Sequence, residues 1–238
     1  MRYSRRMIDA TRIRAITLDL DDTLWPVWPT IRRADQAMRD WLAPHAPRAA
    51  ALAADANSAQ QARRTVLQAR PELAHDLGAI RREVIRQLLR TAGDDPALAE
   101  PAFDVFHHER QRVTLFDDAL PALDFLAARY PLIALSNGNA DVARVGLARY
   151  FRAAVSAASA GVAKPDARIF HAAAQAAGVA ADAVLHIGDD AELDAAGALR
   201  AGMQVAWLNR GGAPWPDEHG RPPQGVLRDL AQLCKLLA

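Results

Sequence analysis

Two aspartates one residue apart, Asp19 and Asp21, close a mostly apolar run, Ile16-Thr17-Leu18-Asp19-Leu20-Asp21-Asp22-Thr23-Leu24. Carboxylates at the tip of a buried strand are costly, because desolvation and mutual repulsion both oppose their charge. A divalent cation relieves both. In an extended chain residues 19 and 21 point the same way. That makes Asp19 the candidate nucleophile and Asp21 the candidate general acid/base, while Asp22 faces elsewhere. A nucleophilic carboxylate beside an acid/base carboxylate, both near a metal, is apparatus for phosphoryl transfer.

Three further segments carry groups suited to the same chemistry. Leu135-Ser136-Asn137-Gly138-Asn139 places a hydroxyl and an amide between a strand and an expected helix. A helix N-terminus offers unpaired N–H groups to a phosphate, and Ser136 and Asn137 donate readily to its oxygens. Alone, Ser136-Asn137-Gly138-Asn139 reads as an ordinary turn. In Ala163-Lys164-Pro165-Asp166, the proline restricts Lys164 to an extended backbone before a helix, which aims its ammonium at one spot. Ile187-Gly188-Asp189-Asp190-Ala191-Glu192-Leu193-Asp194 puts Asp189 at a strand end, with Asp190 and Asp194 four apart on one face of a helix start. Acidic residues at a helix N-terminus also have a plain dipole explanation. Two like charges about 4 Å apart repel by roughly 4 kcal/mol at an effective dielectric near 20. Asp19, Asp21 and Asp189 therefore need a cation and a lysine if they converge. Mg²⁺ suits this oxygen-rich set, which contains no His/Cys ligand cluster.

The elements that must position these groups alternate. Apolar runs predict strands at 13–24, 132–136, 153–157, 183–187 and 203–208, with helices at about 117–129, 140–150, 166–177 and 191–201. Such alternation implies a parallel sheet with helical crossovers, whose ligands bind beyond the carboxyl ends of the strands. Gly178 and Gly202 sit where helix C-termini need a left-handed residue. Pro165 suits a helix start and Asn139 an N-cap. Residues 29–112 lack a convincing strand. Ile80, Val84, Ile85, Leu88 and Leu89 form a helical stripe, and 30–42, 58–70 and 97–112 also read as helices, broken by Pro44, Pro47, Pro71, Pro96 and Pro101. The expectation is an inserted bundle of three or four helices that splits the α/β domain into 1–28 and 113–238, with hinges near 26–29 and 112–116. A Gly/Pro-rich loop at 210–225 should precede a final helix near 226–237.

Bulk composition narrows the class. The chain has 238 residues, 51% of them hydrophobic, which is ample for a buried core. A net charge of +1 gives no field that favours nucleic acid or an anionic membrane. Cys234 is the only cysteine, so an intramolecular disulfide is impossible. Met1 to Ile13 carries Arg2, Arg5, Arg6 and Arg12 without a continuous apolar stretch, and no segment has the roughly 20 apolar residues a membrane span requires. The expectation is a soluble, cytoplasmic protein whose partner is a small molecule.

The four segments in this order resemble the haloacid dehalogenase superfamily, with Asp19/Asp21, Ser136, Lys164 and Asp189 matching its four motifs across essentially the whole chain. The resemblance implies a Rossmann-like core, a C1-type helical cap at 29–112 and a Mg²⁺-dependent mechanism through an aspartyl-phosphate. It implies that Mg²⁺ is held by the Asp19 carboxylate, the Asp21 backbone carbonyl and Asp189. Ser136, Asn137 and Lys164 would hold phosphate oxygens, and Asp190 and Asp194 would orient metal-bound water or Lys164. The 2-haloacid dehalogenases of the superfamily lack an acid/base aspartate at position 21, so its presence looks like a phosphatase or phosphomutase. Leu18-Asp19-Leu20-Asp21-Asp22-Thr23-Leu24-Trp25, Ser136-Asn137-Gly138-Asn139-Ala140-Asp141, and Gly188-Asp189-Asp190 with Asp194, Gly197-Ala198 and Ala201-Gly202-Met203-Gln204 resemble the bacterial phosphatases of FMN and of 5-amino-6-(5-phospho-D-ribitylamino)uracil in riboflavin synthesis. Trp25 and Trp28 are candidates to stack on a flat leaving group, or else to pack the hinge. A sugar-phosphate phosphomutase shares every one of these core residues, and a catalytically silent binding protein is the reading from another class.

Overall fold

The computed structural model describes residues 7–238. Arg2, Arg5 and Arg6 lie outside them. The chain divides into two compact units: one runs through Pro26 and resumes at Thr114, and the other is Val27–Val113. Among the described residues no helix is long and apolar enough to cross a membrane.

After β1 (Ala15–Leu18) the chain enters the helical unit: α1 (Val27–His45), α2 (Pro47–Ala54), α3 (Ala56–Ala69), α4 (Leu77–Ala92) and α5 (Ala99–Arg110). Five helices stand where three or four are expected. The alanine-rich stretch after Pro47 forms α2, because proline at the first helical position needs no N–H partner. Pro44 lies inside the last turn of α1, and Pro101 in the first turn of α5, so neither breaks its helix. Ile80, Ile85, Leu88 and Leu89 of the expected stripe are buried. Ile85 and Leu89 pack with Met38, Leu42, Phe103 and Phe106 in the core of this unit.

The other unit continues with α6 (Ala119–Ala127), β2 (Leu132–Ser136), β3 (Phe151–Ser156), α7 (Ala157–Ala160), α8 (Ala167–Ala177), β4 (Val184–Gly188), α9 (Gly197–Arg200), β5 (Gln204–Leu208), β6 (Gly225–Leu227) and α10 (Leu230–Leu236). Six parallel strands lie in the order β3-β2-β1-β4-β5-β6. The order reverses between β1 and β4, and a crevice opens at such a switch point beyond the carboxyl ends. Strands β1, β2, β4 and β5 are buried along their whole length, as a sheet covered on both faces requires. Ile133, Leu135, Ile169, Phe170, Val205 and Trp207 share its core. Gly178 and Gly202 adopt left-handed backbones at the ends of their helices, with φ of 75° and 83°.

Three expected elements differ. No α-helix forms over 140–150. Asp141 accepts from the N–H groups of Ala143 and Arg144 through its side chain, and the single turn it caps ends at Gly146, whose φ is 89°. Asn139 therefore caps no helix. The first strand stops at Leu18, although Asp19 still donates its N–H to the Ile187 carbonyl at 2.9 Å. Asp22, at φ 56°, turns the chain back, in a conformation that Asp tolerates better than branched residues. Gly225–Leu227, expected at a loop-to-helix junction, instead pairs with β5, and α10 begins only after its cap, Asp229.

Candidate active site

Asp19 ends β1 and Asp189 follows β4, its neighbour in the sheet, so the two carboxylates emerge side by side at the switch point. Lys164 enters from the loop before α8. Its Nζ donates to Asp19 Oδ1 and to Asp194 Oδ1, each at 2.5 Å, and all three side chains are buried. Burial alone would depress the lysine. The two carboxylates outweigh it and hold the ammonium above its ordinary pKa. Burial pushes Asp19 well above the usual carboxylate range, with Lys164 pulling against it and the charges of Asp194 and Asp189 reinforcing it.

Asn137 turns its amide onto the loop before α8. Its side chain clamps the main chain of Lys164, with Nδ2 donating to the Lys164 carbonyl at 3.0 Å and Oδ1 accepting the Lys164 N–H at 2.7 Å. It positions the lysine. Ser136 is buried, and its Oγ accepts the Gly138 N–H at 2.9 Å, which folds the loop after β2.

Asp194 is the hub. Besides Lys164 it receives His186 Nε2 at 3.1 Å and the Asp190 N–H at 3.1 Å. Burial opposes its charge, but Lys164 and His186 hold it well below the usual carboxylate range. His186 is fully buried on β4, and its Nδ1 meets Thr17 Oγ1 of β1 at 2.8 Å, across the register that pairs the two residues. Burial pushes this imidazole below its ordinary pKa. The neutral ring therefore donates from Nε2 and accepts at Nδ1. Thr17 and His186 escaped the sequence reading; the available signal was a polar side chain in the middle of each of two apolar strands. Asp194 reaches this position because residues 191–196 form a wider π-helical turn and because Gly188 has no side chain. A Cβ there would fall 2.2 Å from Asp194 Cγ.

Asp190 lies two residues beyond β4. Its carboxylate is exposed and accepts the N–H groups of Glu192 and Leu193 at 2.8 Å each, so it caps the helical turn rather than orienting Lys164. Asp189 accepts from Thr23 Oγ1 at 3.2 Å. Burial, then the charges of Asp194 and Asp22, push it up to about 7. Arg210, paired with Asp118, donates to the Thr23 carbonyl at 3.0 Å and ties the end of β5 to the loop after β1.

Carboxylate oxygens of Asp19, Asp189 and Asp194 lie within 4.8 Å of one another. Both ring nitrogens of His186 are engaged, so the donors facing this point are hard oxygens, which fit Mg²⁺ better than a thiophilic or imidazole-seeking metal. Each Asp194 oxygen already holds a donor, which leaves Asp19 and Asp189 as the principal ligands.

Asp21 lies half-buried in the loop after Asp19. Trp25 is fully buried and bonded to Asp21, so of the two alternatives for this ring it packs rather than offering its face to a ligand. Trp28 opens α1 in the helical unit and is 65% exposed.

A family model described as haloacid dehalogenase-like hydrolase matches residues 13–202. The 5-amino-6-(5-phospho-D-ribitylamino)uracil phosphatase YigB of Escherichia coli is 35% identical over 83% of this chain and 84% of its own. The phosphoserine phosphatase of Thermus thermophilus is 32% identical over 85% of this chain and 91% of its own. Among solved structures, a 2-haloacid dehalogenase from Pseudomonas syringae superposes with a TM-score of 0.88 at 40% identity, covering 94% of this chain and 98% of that one. Fold, site and relatives agree: the chain belongs to the haloacid dehalogenase-like hydrolases.

Proposed function

We propose that this protein is a Mg²⁺-dependent phosphatase that hydrolyses a small phosphorylated metabolite through an aspartyl-phosphate on Asp19. The observation that carries the reading is the buried lysine bonded to Asp19 and Asp194, with Asp189 at the next strand end. Asp19 attacks phosphorus in line. Asp21 gives a proton to the departing alkoxide, then takes one from the water that cleaves the acyl-phosphate. Lys164 and Ser136 face the charge that develops on the phosphoryl oxygens. Asp194, held by His186, which Thr17 holds in turn, keeps Lys164 charged and in place. The metal, held by Asp19, Asp189 and the Asp21 carbonyl, supplies neutralisation of the phosphate charge. Val27–Val113 takes the role of a cap that selects the leaving group.

For the substrate we favour FMN or 5-amino-6-(5-phospho-D-ribitylamino)uracil, supported by the motifs around Asp19, Ser136 and Asp189 and by the similarity to YigB. A sugar-phosphate phosphatase or phosphomutase uses the same core. The cytoplasm is the proposed compartment, in keeping with a single cysteine. The 40% identity to a protein named as a 2-haloacid dehalogenase favours a second reading, in which Asp19 displaces halide. Asp21 argues against it, because halide leaves without a proton.

The test is a panel of FMN, the ribitylaminouracil phosphate, nucleotides, sugar phosphates and 2-chloropropionate, each with and without Mg²⁺. Phosphate release that requires Mg²⁺ and vanishes in Asp19→Asn is the expected result. Chloride release without phosphate release, or near-wild-type phosphatase activity in Asp19→Asn, overturns the assignment.

A further inference from the structure

Trp25 is wholly buried, and its indole Nε1–H donates to Asp21 Oδ1 at 2.8 Å. The loop that carries both residues is closed on itself. Asp22 donates its N–H to the Trp25 carbonyl at 2.7 Å, Leu24 donates to Leu20 at 2.8 Å, and Asp21 and Trp25 meet as an isolated β-bridge. From outside, Phe116 donates to the Leu24 carbonyl at 2.9 Å and Arg210 to that of Thr23 at 3.0 Å. The indole is therefore fixed at its own backbone and by the packing around its ring.

An indole N–H is a donor only and does not titrate. It holds Oδ1 in either protonation state of the carboxyl group. We propose that Trp25 is a positioning residue for Asp21, fixing the carboxylate's rotation in both halves of the reaction. This rests on the assignment of Asp21 as general acid/base. In the first half the proton passes from the Asp21 carboxyl group to the leaving-group oxygen as its bond to phosphorus breaks and the Asp19 oxygen–phosphorus bond forms. In the second, water gives a proton back to the Asp21 carboxylate as its oxygen bonds to phosphorus and the Asp19 bond breaks.

The test compares an alkyl phosphate monoester, whose leaving group needs a proton, with p-nitrophenyl phosphate, whose leaving group departs as the anion. Trp25→Phe keeps an aromatic ring and deletes the N–H. Turnover of the alkyl ester should fall roughly 10–100-fold with KM unchanged. With p-nitrophenyl phosphate, a rapid burst of nitrophenol should persist while the steady state slows, because only the attack of water still needs Asp21. In an Asp21→Asn background, Trp25→Phe should cost nothing further. The proposal fails if Trp25→Phe turns over both esters within about twofold of wild type, slows burst and steady state alike, or costs as much in the Asp21→Asn background. If Trp25→Phe does not fold, β-(3-benzothienyl)alanine at position 25 keeps the bicyclic shape without the N–H, and the same outcomes decide. Full turnover in Asp19→Asn or Asp21→Asn would sink the reading of the site itself. Inactive Asp19 and Asp21 variants beside an unaffected Trp25 variant would sink only this inference.

Discussion

Ion pairs occur in two settings in this molecule. On the helical unit, Arg70 pairs with Glu72 and Arg82 with Glu100, with side chains between 35% and 59% exposed. At the carboxyl ends of the strands, Lys164, Asp19 and Asp194 pair with side chains no more than 8% exposed. Both settings pair a carboxylate with a basic side chain, and the consequences are opposite. In the open, water solvates each partner before and after pairing, so the pair adds little. In the interior each charge depends on its neighbours, and removing one strands the others. Placement, more than pairing, makes a charge matter here.

Lys164→Met should test that contrast most severely. It leaves two buried carboxylates facing each other and should destabilise the fold by about 3–5 kcal/mol in urea unfolding, while lowering kcat by roughly 10²–10³-fold. An equal destabilisation from Glu100→Gln would erase the distinction. Gly188→Ala should come next: the added methyl meets Asp194, and overpacking of this kind costs about 1–3 kcal/mol. Its activity should fall as well, because Asp194 must move away from Lys164.

The buried cluster should also respond to pH where the surface pairs do not. Asp189, pushed up to about 7, holds a proton in the metal-free protein at lower pH. Its raised folded-state pKa favours the folded state below the ordinary value of 3.8, and this advantage is lost as pH rises through about 7. Mg²⁺ must displace that proton. Its affinity should therefore rise about tenfold per pH unit up to about pH 7 and then flatten. Calorimetric titration in buffers of different ionisation enthalpy would count the released proton. Smaller still, Asp76→Ala removes the cap that accepts the Ala79 N–H at the start of α4 and should cost about 1 kcal/mol. Arg70→Ala should leave the thermal midpoint unmoved; a clear drop would show that surface pairs here carry weight.

The parts of this architecture written in residue type were legible beforehand. Apolar runs announced β1, β2, β4 and β5, and acids at the ends of β1 and β4 announced where charge would gather. Geometry between segments was not legible. Nothing local says that Asn137 turns its amide onto the backbone of residue 164, or that Asp190 spends its carboxylate on two amides. The helix expected over 140–150 failed for a related reason: Ala140, Val142 and Ala143 suit a helix, but Asp141 and Gly146 close a single turn first. β6 was missed because three residues beginning with glycine carry almost no pattern, and the contact that explains Gly225 comes from Ile8, at the other end of the chain.

The grip of Asn137 on the main chain of residue 164 separates the lysine's location from its charge. Shortening that side chain to alanine would leave a vacated socket whose walls still stand, with two acids at its far end. A guest such as propylammonium matches the missing arm in length and sign. Added to Lys164→Ala, it should restore turnover in proportion to its concentration, whereas a neutral alcohol of the same size should not.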